Sequence, residues 1–401
     1  MSARDMPADT VQQRALAAVF HPMLDRIDAG LEWGAIESRL PDGTHRLLGG
    51  RKPGPVPIVT LHRWRALVRL ATGGSVGWYR AWRDGDWSSP DPVPLFDLFM
   101  RNRVPLADAA RANGASKLLL RAWHRLRRNH KAGARRNIAD HYDLGNDFYH
   151  AWLDPSLTYS SGLFAPGDTL EQAQQRKLDA ILARTGTVPG ETILEIGCGW
   201  GSFAATAAAA GRRVAALTLS TEQRAAVDSL GLPGVAVALT DYRDVAGRFD
   251  AVASIEMVEA VGQRYWPAYC DTLARVLKPG GRAALQYISI ADDVFDRYAG
   301  SVDFIQRYIF PGGMLLSESR FRVLCEARGL AWTDHHAFGL DYAVTLRHWR
   351  ERFDNADRAG LLPERLDARF RDLWRYYLMY CEGGFRGGGI DVAQVTLVKA
   401  G

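Results

Sequence analysis

The stretch from residue 192 to residue 290 alternates short β-rich runs with helical segments, and this alternation constrains the fold more than any other feature. The predicted strands cover 192–196, 214–219, 235–239, 249–255 and 282–290, and predicted helices lie between them at 201–210, 221–230 and 266–277. Strands and helices that alternate at this spacing build a parallel sheet with helices on both faces. The sequence therefore predicts a doubly wound, Rossmann-like α/β fold here.

A glycine-rich segment ends the first of these strands and opens the first helix. Residues 194–201 read Leu-Glu-Ile-Gly-Cys-Gly-Trp-Gly, with glycines at Gly197, Gly199 and Gly201. Ligands of doubly wound sheets bind at the carboxyl ends of strands, where glycine lets the backbone approach them closely. Glu195 lies two residues before the first glycine, where its carboxylate can meet an ammonium group. The segment therefore predicts a ligand site at this end of the sheet.

Three details favour S-adenosylmethionine over a dinucleotide as that ligand. Glu195 suits the ammonium of the methionine portion, and the spacing GxGxG differs from the GxGxxG that cradles a pyrophosphate. Leu-Lys-Pro-Gly-Gly at 277–281, before the last strand, is typical of methyltransferases that use this cofactor. The second strand ends in Thr218-Leu219-Ser220 instead of an acid. We therefore expect Gln223, one helical turn further on, to hydrogen-bond the ribose.

The N-terminal part, residues 1–115, is predicted to form a separate small α+β module. We expect a helix at 16–20, a hairpin over 33–48 with its turn at Pro41-Asp42-Gly43, and a helix over 61–70 that Gly73-Gly74 ends. Tryptophans are dense here and indicate a core, although they also suit an acyl-chain pocket or a membrane interface. They are Trp33, Trp64, Trp78, Trp82 and Trp87.

The segment that joins the two parts is strongly basic. From Arg101 to Arg136 there are eleven Lys or Arg residues and a single acid, Asp108, with Trp123 and several leucines among them. Basic residues with interleaved apolar ones suit an anionic surface, and a solvated linker helix is the alternative. We predict a basic linker or helix over 116–136 and a catalytic domain over 137–401.

Composition and sequence patterns indicate the cellular compartment in which the chain is expected. The longest apolar runs, such as 204–210, are too short to cross a bilayer, and the N-terminus lacks the apolar core of a signal peptide. The four cysteines are widely spaced without a CxxC pair, which is typical of free thiols and argues against a metal site. We therefore expect a cytoplasmic protein, and the net charge of +5 with its basic stretch predicts peripheral association with the inner face of the membrane.

A set of ordered motifs identifies a family. They are residues 141–149 (His-Tyr-Asp-Leu-Gly-Asn-Asp-Phe-Tyr), 159–160, 194–201, 218–223, 241–244, 254–262, 308–311, 338–342 and 376–378. In these motifs the chain, from about residue 137 to its end, resembles the cyclopropane-fatty-acyl-phospholipid synthases, a family that includes the mycolic acid methyltransferases. The N-terminal module is similar to the lipid-handling domain of the longer bacterial members.

The resemblance implies a class I S-adenosylmethionine-dependent methyltransferase that acts on lipid. A methyl or methylene group passes to the cis double bond of an unsaturated phospholipid acyl chain, through a carbocation, to give a cyclopropane fatty acid. The segment 141–147 is expected to pack as a lid helix near the cofactor. The resemblance also implies the residues around the cofactor, which are Tyr159, Ser160, Gly197, Gly199, Thr218, Leu219, Gln223, Tyr242, Arg243 and Ile255.

The reaction needs a base, and the resemblance implies a bicarbonate held by a Cys, a Glu, a His, a backbone group of Ile and a Tyr. The corresponding positions here are Ser161, Glu259, Gln286, Ile288 and Tyr342. Ser and Gln can hydrogen-bond an anion but cannot carry its proton or a positive charge. The base is then either a weakly held bicarbonate or Glu259, which we take as the only carboxylate in this site.

These departures resemble the branch of the family associated with methylene-bearing, methyl-branched or furan fatty acids, which is the alternative outcome. A saturated branched product needs a separate reductase, because this chain has no nicotinamide motif. A small-molecule methyltransferase and a non-catalytic lipid-binding protein are the competing functions. A nucleic-acid substrate is disfavoured, because no base-reading module or Asn-Pro-Pro-Tyr-type motif is present. The sequence leaves the oligomeric state open, a homodimer included.

Overall fold

A computed structural model of the chain describes residues 8–106 and 144–401, with the side chains from residue 18 onward in the first range. The N-terminal part contains a four-stranded sheet of order β2-β1-β3-β4 and three helices. The strands are β1 (Ala35–Arg39), β2 (His45–Gly49), β3 (Ile58–Leu61) and β4 (Trp87–Ser88). The helices are α1 (Ala8–Gly30), α2 (Arg65–Arg83) and α3 (Val93–Arg101).

The predicted hairpin is confirmed. Strands β1 and β2 pair antiparallel, with Arg39 opposite His45. The turn is stabilised because a carboxylate oxygen of Asp42 accepts the backbone N–H of Thr44 at 2.9 Å. Gly43 has φ +84°, in the left-handed region that glycine adopts without steric cost.

The prediction that Gly73-Gly74 ends a helix is wrong. Helix α2 begins at Arg65 and continues to Arg83, and Gly74 makes a kink with φ 54° and ψ −138°. A residue with a Cβ would be strained in this conformation, whereas glycine allows the helix to resume beyond it. The kink is stabilised by a hydrogen bond, because the hydroxyl of Ser75 accepts the backbone N–H of Phe304 at 3.0 Å.

The second part is built on a seven-stranded sheet of order β10-β11-β9-β8-β5-β6-β7. Its strands are β5 (Thr192–Ile196), β6 (Arg213–Thr218), β7 (Val235–Leu239), β8 (Phe249–Ile255), β9 (Leu277–Ile290), β10 (Leu330–Ala337) and β11 (Ile390–Lys399). The five parallel strands β5 to β9 confirm the prediction. The sheet also contains two strands that the sequence analysis did not predict: β11 runs antiparallel to β9, with Ile390 opposite Ile290, and β10 pairs antiparallel with β11.

Ten described helices accompany this sheet, and four of them begin with a side-chain cap. The helix after Thr169 has a capping box with Gln172, and the helix after β6 is capped by the hydroxyl of Ser220. The helices are α4 (Asn146–His150), α5 (Leu170–Thr185), α6 (Ser202–Ala209), α7 (Thr221–Ser229), α8 (Trp266–Val276), α9 (Asp292–Ala299), α10 (Phe304–Tyr308), α11 (Glu318–Glu326), α12 (Gly339–Arg358) and α13 (Ala368–Arg386). The fold is that of a class I methyltransferase.

The N-terminal module packs directly on the second part through aromatic rings. Tyr79 and Phe96 contact Tyr376 of α13 with ring centroids 5.0 and 5.3 Å apart, and Phe304 lies 4.9 Å from Tyr79. At the edge of this contact the Arg103 guanidinium pairs with Asp293 at 3.1 Å. The basic segment predicted over 116–136 lies outside the described residues. Within the described ranges, none of the helices has both the length and the hydropathy that a bilayer crossing demands.

Candidate functional site

One cavity of about 530 Å³ lies at the carboxyl ends of β5, β6 and β8 and extends to the N-terminal module. Strand ends at this edge of a doubly wound sheet are where ligands bind, as the sequence predicts. Most residues predicted to surround the cofactor line this cavity: Tyr159, Ser160, Glu195, Gly197, Gly199, Thr218, Leu219, Gln223, Tyr242 and Ile255. Glu259, Ile288 and Tyr342 of the predicted anion site also line it.

The three glycines of the motif have left-handed φ angles but different surroundings. A Cβ on Gly199 would meet nothing within 4 Å and would project toward the cavity that this residue lines. A Cβ on Gly201 would instead lie 3.1 Å from Val227 and 3.3 Å from Leu230. Gly201 therefore allows α6 and α7 to approach each other and does not line the cavity.

Arg243, predicted beside the cofactor, also lies outside the cavity lining. Its guanidinium is held by the buried carboxylate of Asp241 at 2.6 and 2.7 Å and stacks over the rings of Tyr242 and Tyr265. These contacts fix the neighbouring Tyr242, which does line the cavity. The buried hydroxyl of Tyr242 has no hydrogen-bond partner among the residues that the structure describes.

The polar groups of the glycine-rich end fit S-adenosylmethionine. Glu195 is buried, and its Oε2 atom has no hydrogen-bond partner among residues 18–106 and 144–401. Burial raises the pKa of this carboxyl to about 8, against the opposing charge of Lys177. A cationic ligand group satisfies such a carboxylate. The hydroxyl of Thr218 donates to the Gln223 amide oxygen at 2.8 Å, which leaves the Gln223 amide nitrogen to donate to a ribose hydroxyl.

A second carboxylate, Glu256, stands at the centre of the predicted anion site. Its Oε1 atom accepts the backbone N–H of Ser161 at 2.9 Å and the Gln286 amide at 2.8 Å. Its Oε2 atom accepts the hydroxyl of Tyr342 at 2.7 Å. Three residues that the sequence assigned to bicarbonate therefore hold a carboxylate of the chain itself.

The expectation that Glu259 is the only carboxylate in this site is wrong, because Glu256 accepts hydrogen bonds from Ser161, Gln286 and Tyr342 of the same site. Glu256 follows β8 directly and has φ +48°, which is uncommon for a residue with a side chain. This backbone conformation turns the side chain toward Ser161. A period-two strand pattern continued past Ile255 gives no sign of such a turn, so sequence reasoning missed Glu256.

Glu259 occupies a different electrostatic position from Glu256. One oxygen accepts the backbone N–H of Ile288, and the other has no partner among the described residues. Burial, and next the charge of Glu256, raise the pKa of Glu259 to about 8. Burial also raises the pKa of Glu256, but three hydrogen-bond donors oppose that effect. The three donors favour the ionised form of Glu256, whereas burial and the charge of Glu256 favour the protonated form of Glu259.

Ser161 and Gln286 lie behind the cavity wall and do not line it. The Ser161 hydroxyl donates to the backbone carbonyl of Gly162 at 2.9 Å, so only its N–H points to Glu256. The Gln286 amide oxygen accepts from Gln394 at 3.0 Å, which fixes the amide group for its bond to Glu256. Both residues orient Glu256 and have no direct access to a ligand.

The rest of the cavity is lined mainly by apolar and aromatic side chains from both parts of the chain. The N-terminal module contributes Leu70, Trp78, Phe96, Phe99, Met100 and Leu106, together with Gly73 and Gly74 at the kink of α2. The second part contributes Ile290, Phe310, Leu346, Tyr377, Phe385 and Ile390. Trp78 is thus both a core residue, stacked 4.4 Å from Trp87, and a wall of the cavity.

The predicted lid segment is described only in part, because residues 141–143 lie outside the described residues. Helix α4 follows, and Asn146 accepts the indole N–H of Trp200 at 2.9 Å. Trp200 belongs to the glycine-rich segment and lines the cavity. Helix α4 is therefore attached to the wall of the predicted cofactor site.

Comparison with known proteins gives consistent matches. The family model described as mycolic acid cyclopropane synthetase matches residues 129–395. The tuberculostearic acid methyltransferase UfaA1 of Mycobacterium tuberculosis is 36% identical over 96% of this chain and 92% of its own length. The cyclopropane-fatty-acyl-phospholipid synthase of Escherichia coli strain K12 is 35% identical over 82% of this chain and 85% of its own.

A solved structure agrees with these relatives. The mycolic acid cyclopropane synthase CmaA1, crystallised with SAH and CTAB, matches with a TM-score of 0.60 and 30% identity. The match covers 66% of this chain and 98% of that one.

Proposed function

We propose that this chain methylates the cis double bond of an unsaturated fatty acyl chain carried by a phospholipid. The chain belongs to the mycolic acid cyclopropane synthetase family and is an S-adenosylmethionine-dependent methyltransferase. The observation that carries the proposal is the continuity of one cavity. It joins the glycine-rich turn, the carboxylate of Glu256 and an apolar compartment walled by both parts of the chain. An alkene offers no charge to bind, so such a substrate must be held by apolar walls that exclude water.

The residues at the glycine-rich end hold the methyl donor. When bound, the cofactor supplies a methyl group activated by its sulfonium charge. Glu195 meets the ammonium of the methionine portion, and Gln223 binds the ribose. Gly199 leaves the space that the ligand needs. Together these contacts direct the donor toward the apolar compartment, which aligns the two reactants.

Aromatic residues stabilise the carbocation that methylation creates in the acyl chain. Tyr159, Phe310 and Tyr377 line the cavity, and the hydroxyls of Tyr159 and Tyr377 hydrogen-bond at 2.8 Å. Aromatic faces attract a cation, most strongly where water is excluded. These rings therefore favour the charged intermediate over the neutral alkene.

Glu256 then takes a proton from the cation. Three donors favour the ionised form of its carboxyl group and orient it, and Glu256 is part of the cavity wall. Loss of the proton from the transferred methyl closes a cyclopropane. Loss from a neighbouring chain carbon gives a methyl-branched alkene instead. A hydride shift that moves the cation to the methyl-bearing carbon, followed by loss of a proton from the transferred methyl, gives a methylene group. The position of Glu256 relative to the chain thus selects the product.

A methylene- or methyl-branched product, or a furan precursor made from it, is the second candidate outcome. It is supported by Glu256, a carboxylate of the chain that lies where the resemblance to the family implied a bicarbonate. The 36% identity to a tuberculostearic acid methyltransferase over nearly the whole chain supports it as well. A saturated branched product would require a separate reductase.

The test of the function is incubation with methyl-labelled S-adenosylmethionine and unsaturated phospholipid vesicles, followed by NMR of the extracted lipid. We expect label in the acyl chain at the former double bond. NMR is needed because a cyclopropane and its methylene isomer have the same mass. Label that appears in a soluble acceptor, with none in lipid, would instead support the small-molecule methyltransferase. Absence of turnover with intact cofactor binding would contradict both.

The N-terminal wall of the cavity predicts a change in chain-length preference. Gly73 lines the cavity, has no left-handed φ, and a Cβ there would meet nothing within 4 Å. Gly73→Phe should fill this end and lower turnover of long acyl chains relative to short ones, on the order of tenfold. Turnover is compared on vesicles of 14- and 18-carbon monounsaturated lipids. Thr72→Phe, on an exposed neighbour outside the cavity, is the control and should leave the ratio unchanged.

Peripheral association with an anionic membrane is proposed for the basic segment. If Arg121, Arg125, Arg127 and Arg128 face lipid, each contributes on the order of 1 kcal/mol to binding. Replacing all four by Gln should reduce co-sedimentation with anionic vesicles, and wild-type binding should weaken as salt rises. Salt-independent binding, or none, would favour the linker interpretation.

A further inference from the structure

A buried lysine lies behind the predicted cofactor site. Lys177 of α5 is fully buried and lines the cavity. Its ammonium donates to the hydroxyl of Ser160 at 2.6 Å, the one hydrogen bond of this ammonium among the described residues. Fully buried lysines are rare, and they need negative charges or acceptors nearby.

Acidic side chains from three different segments lie near this ammonium. Burial lowers the pKa of Lys177 to about 8, and the charges of Glu256, Asp154 and Glu195 oppose this effect. Glu195 belongs to β5, Glu256 follows β8, and Asp154 belongs to the loop after α4. Lys177 is therefore mainly protonated at neutral pH.

The donor chemistry of the ammonium fixes the role of Ser160. An ammonium has three donors and no acceptor, so the Ser160 oxygen must accept in this bond. The backbone carbonyl of Ser160 is already bound by the Gln174 amide at 2.9 Å. The hydroxyl hydrogen of Ser160 is then left to donate, and Ser160 lines the cavity. Its oxygen is polarised by the cation behind it, which makes the hydroxyl a stronger donor.

We propose that Lys177 is a positioning residue that acts through Ser160 to present a donor to an anionic group of the bound cofactor, the carboxylate of its methionine portion. Glu195 lines the same cavity and meets the ammonium of that portion. The two ends of the amino acid group are thereby distinguished by charge. This inference rests on the cofactor placement proposed above.

The first test is a double-mutant cycle on binding of S-adenosylhomocysteine, measured by calorimetry at pH 7. Lys177→Met and Ser160→Ala should each weaken binding about tenfold to a hundredfold, the usual weight of a hydrogen bond to a charged group. The double variant should bind no more weakly than Lys177→Met, because the lysine acts through the serine. Lys278→Met, at a half-exposed ion pair with Asp250, is the control and should bind like wild type.

The second test is the pH dependence of the Ser160 effect, which needs no lysine variant. The ratio of the dissociation constants of Ser160→Ala and wild type should fall toward one as pH rises through about 8 and Lys177 loses its proton. Glu195, Glu256, Glu259 and Asp154 are present in both proteins, so their effects largely cancel in the ratio. A pH-independent ratio, additive losses in the cycle, or wild-type affinity in Lys177→Met would overturn the inference. Failure of the wild-type protein to bind S-adenosylhomocysteine would instead overturn the cofactor placement beneath it.

Discussion

Replacement of Glu256 by Gln is expected to lower the turnover number by about two to four orders of magnitude, which is the usual weight of a general base. Gln keeps the size of the side chain but cannot accept a proton. The affinity for S-adenosylhomocysteine should stay near that of wild type, because Glu256 is not among the residues placed on the cofactor. Steady-state turnover on vesicles and calorimetric binding separate the two effects.

Glu259→Gln is the matched comparison, since Glu259 lines the same cavity three residues further along the chain. Its carboxyl is protonated at neutral pH, and an amide mimics a protonated carboxyl in shape and charge. We therefore expect a much smaller loss of turnover. A larger loss in Glu259→Gln than in Glu256→Gln would assign the base to Glu259.

The pH dependence of turnover is a second test of Glu256 as the base. Burial raises the pKa of Glu256, and only the ionised form accepts a proton. Turnover should therefore rise as pH increases through the pKa of Glu256 and should fall as pH decreases through it. This acid limb should disappear from the residual activity of Glu256→Gln. An unchanged limb would show that another group controls it.

Replacement of Gly199 by Val should weaken binding of S-adenosylhomocysteine by at least on the order of a hundredfold, or about 2.8 kcal/mol. The side chain would project into the part of the cavity that the proposal assigns to the cofactor. The left-handed φ of 52° also costs a residue with a Cβ about 1–2 kcal/mol of folding stability. Binding and thermal unfolding must therefore be measured together.

Gly231→Val separates these two effects. Gly231 has φ +58°, a Cβ there would meet nothing within 4 Å, and the residue lies outside the cavity lining. It should lose similar stability and keep its affinity for S-adenosylhomocysteine. Retained affinity in Gly199→Val would contradict the placement of the cofactor at this turn.

The features that the sequence predicted well are those with a local physical signal. Strand β5 was predicted from a short β-rich run, and the turn after it from its three glycines, all of which have left-handed φ angles. The Gly74 kink was misread because glycine both ends helices and tolerates kinks. The helix continues past Gly74 where Ser75 accepts the backbone N–H of Phe304, a residue far away in the sequence.

The features that the sequence did not reveal depend on tertiary contacts. Glu256 turns into the site through a left-handed backbone conformation, and Lys177 is buried among carboxylates from three segments. The backbone N–H of Ser161 and the side-chain amide of Gln286 donate to Glu256, where the resemblance implied contacts to a bound anion. No local pattern distinguishes these residues from surface charges or strand polar groups.

Chemical rescue of Glu256→Gly tests most directly that the chain supplies its own base. Glycine accepts the φ of +48° without strain, and its substitution leaves the donors of Ser161, Gln286 and Tyr342 around a space for a small anion. The account predicts that wild-type turnover is the same in carbonate-free and bicarbonate-containing buffer, whereas Glu256→Gly is nearly inactive and regains turnover when bicarbonate or formate is added. Wild-type turnover that falls in carbonate-free buffer and returns with bicarbonate, or full activity of Glu256→Gly without any added anion, would contradict it.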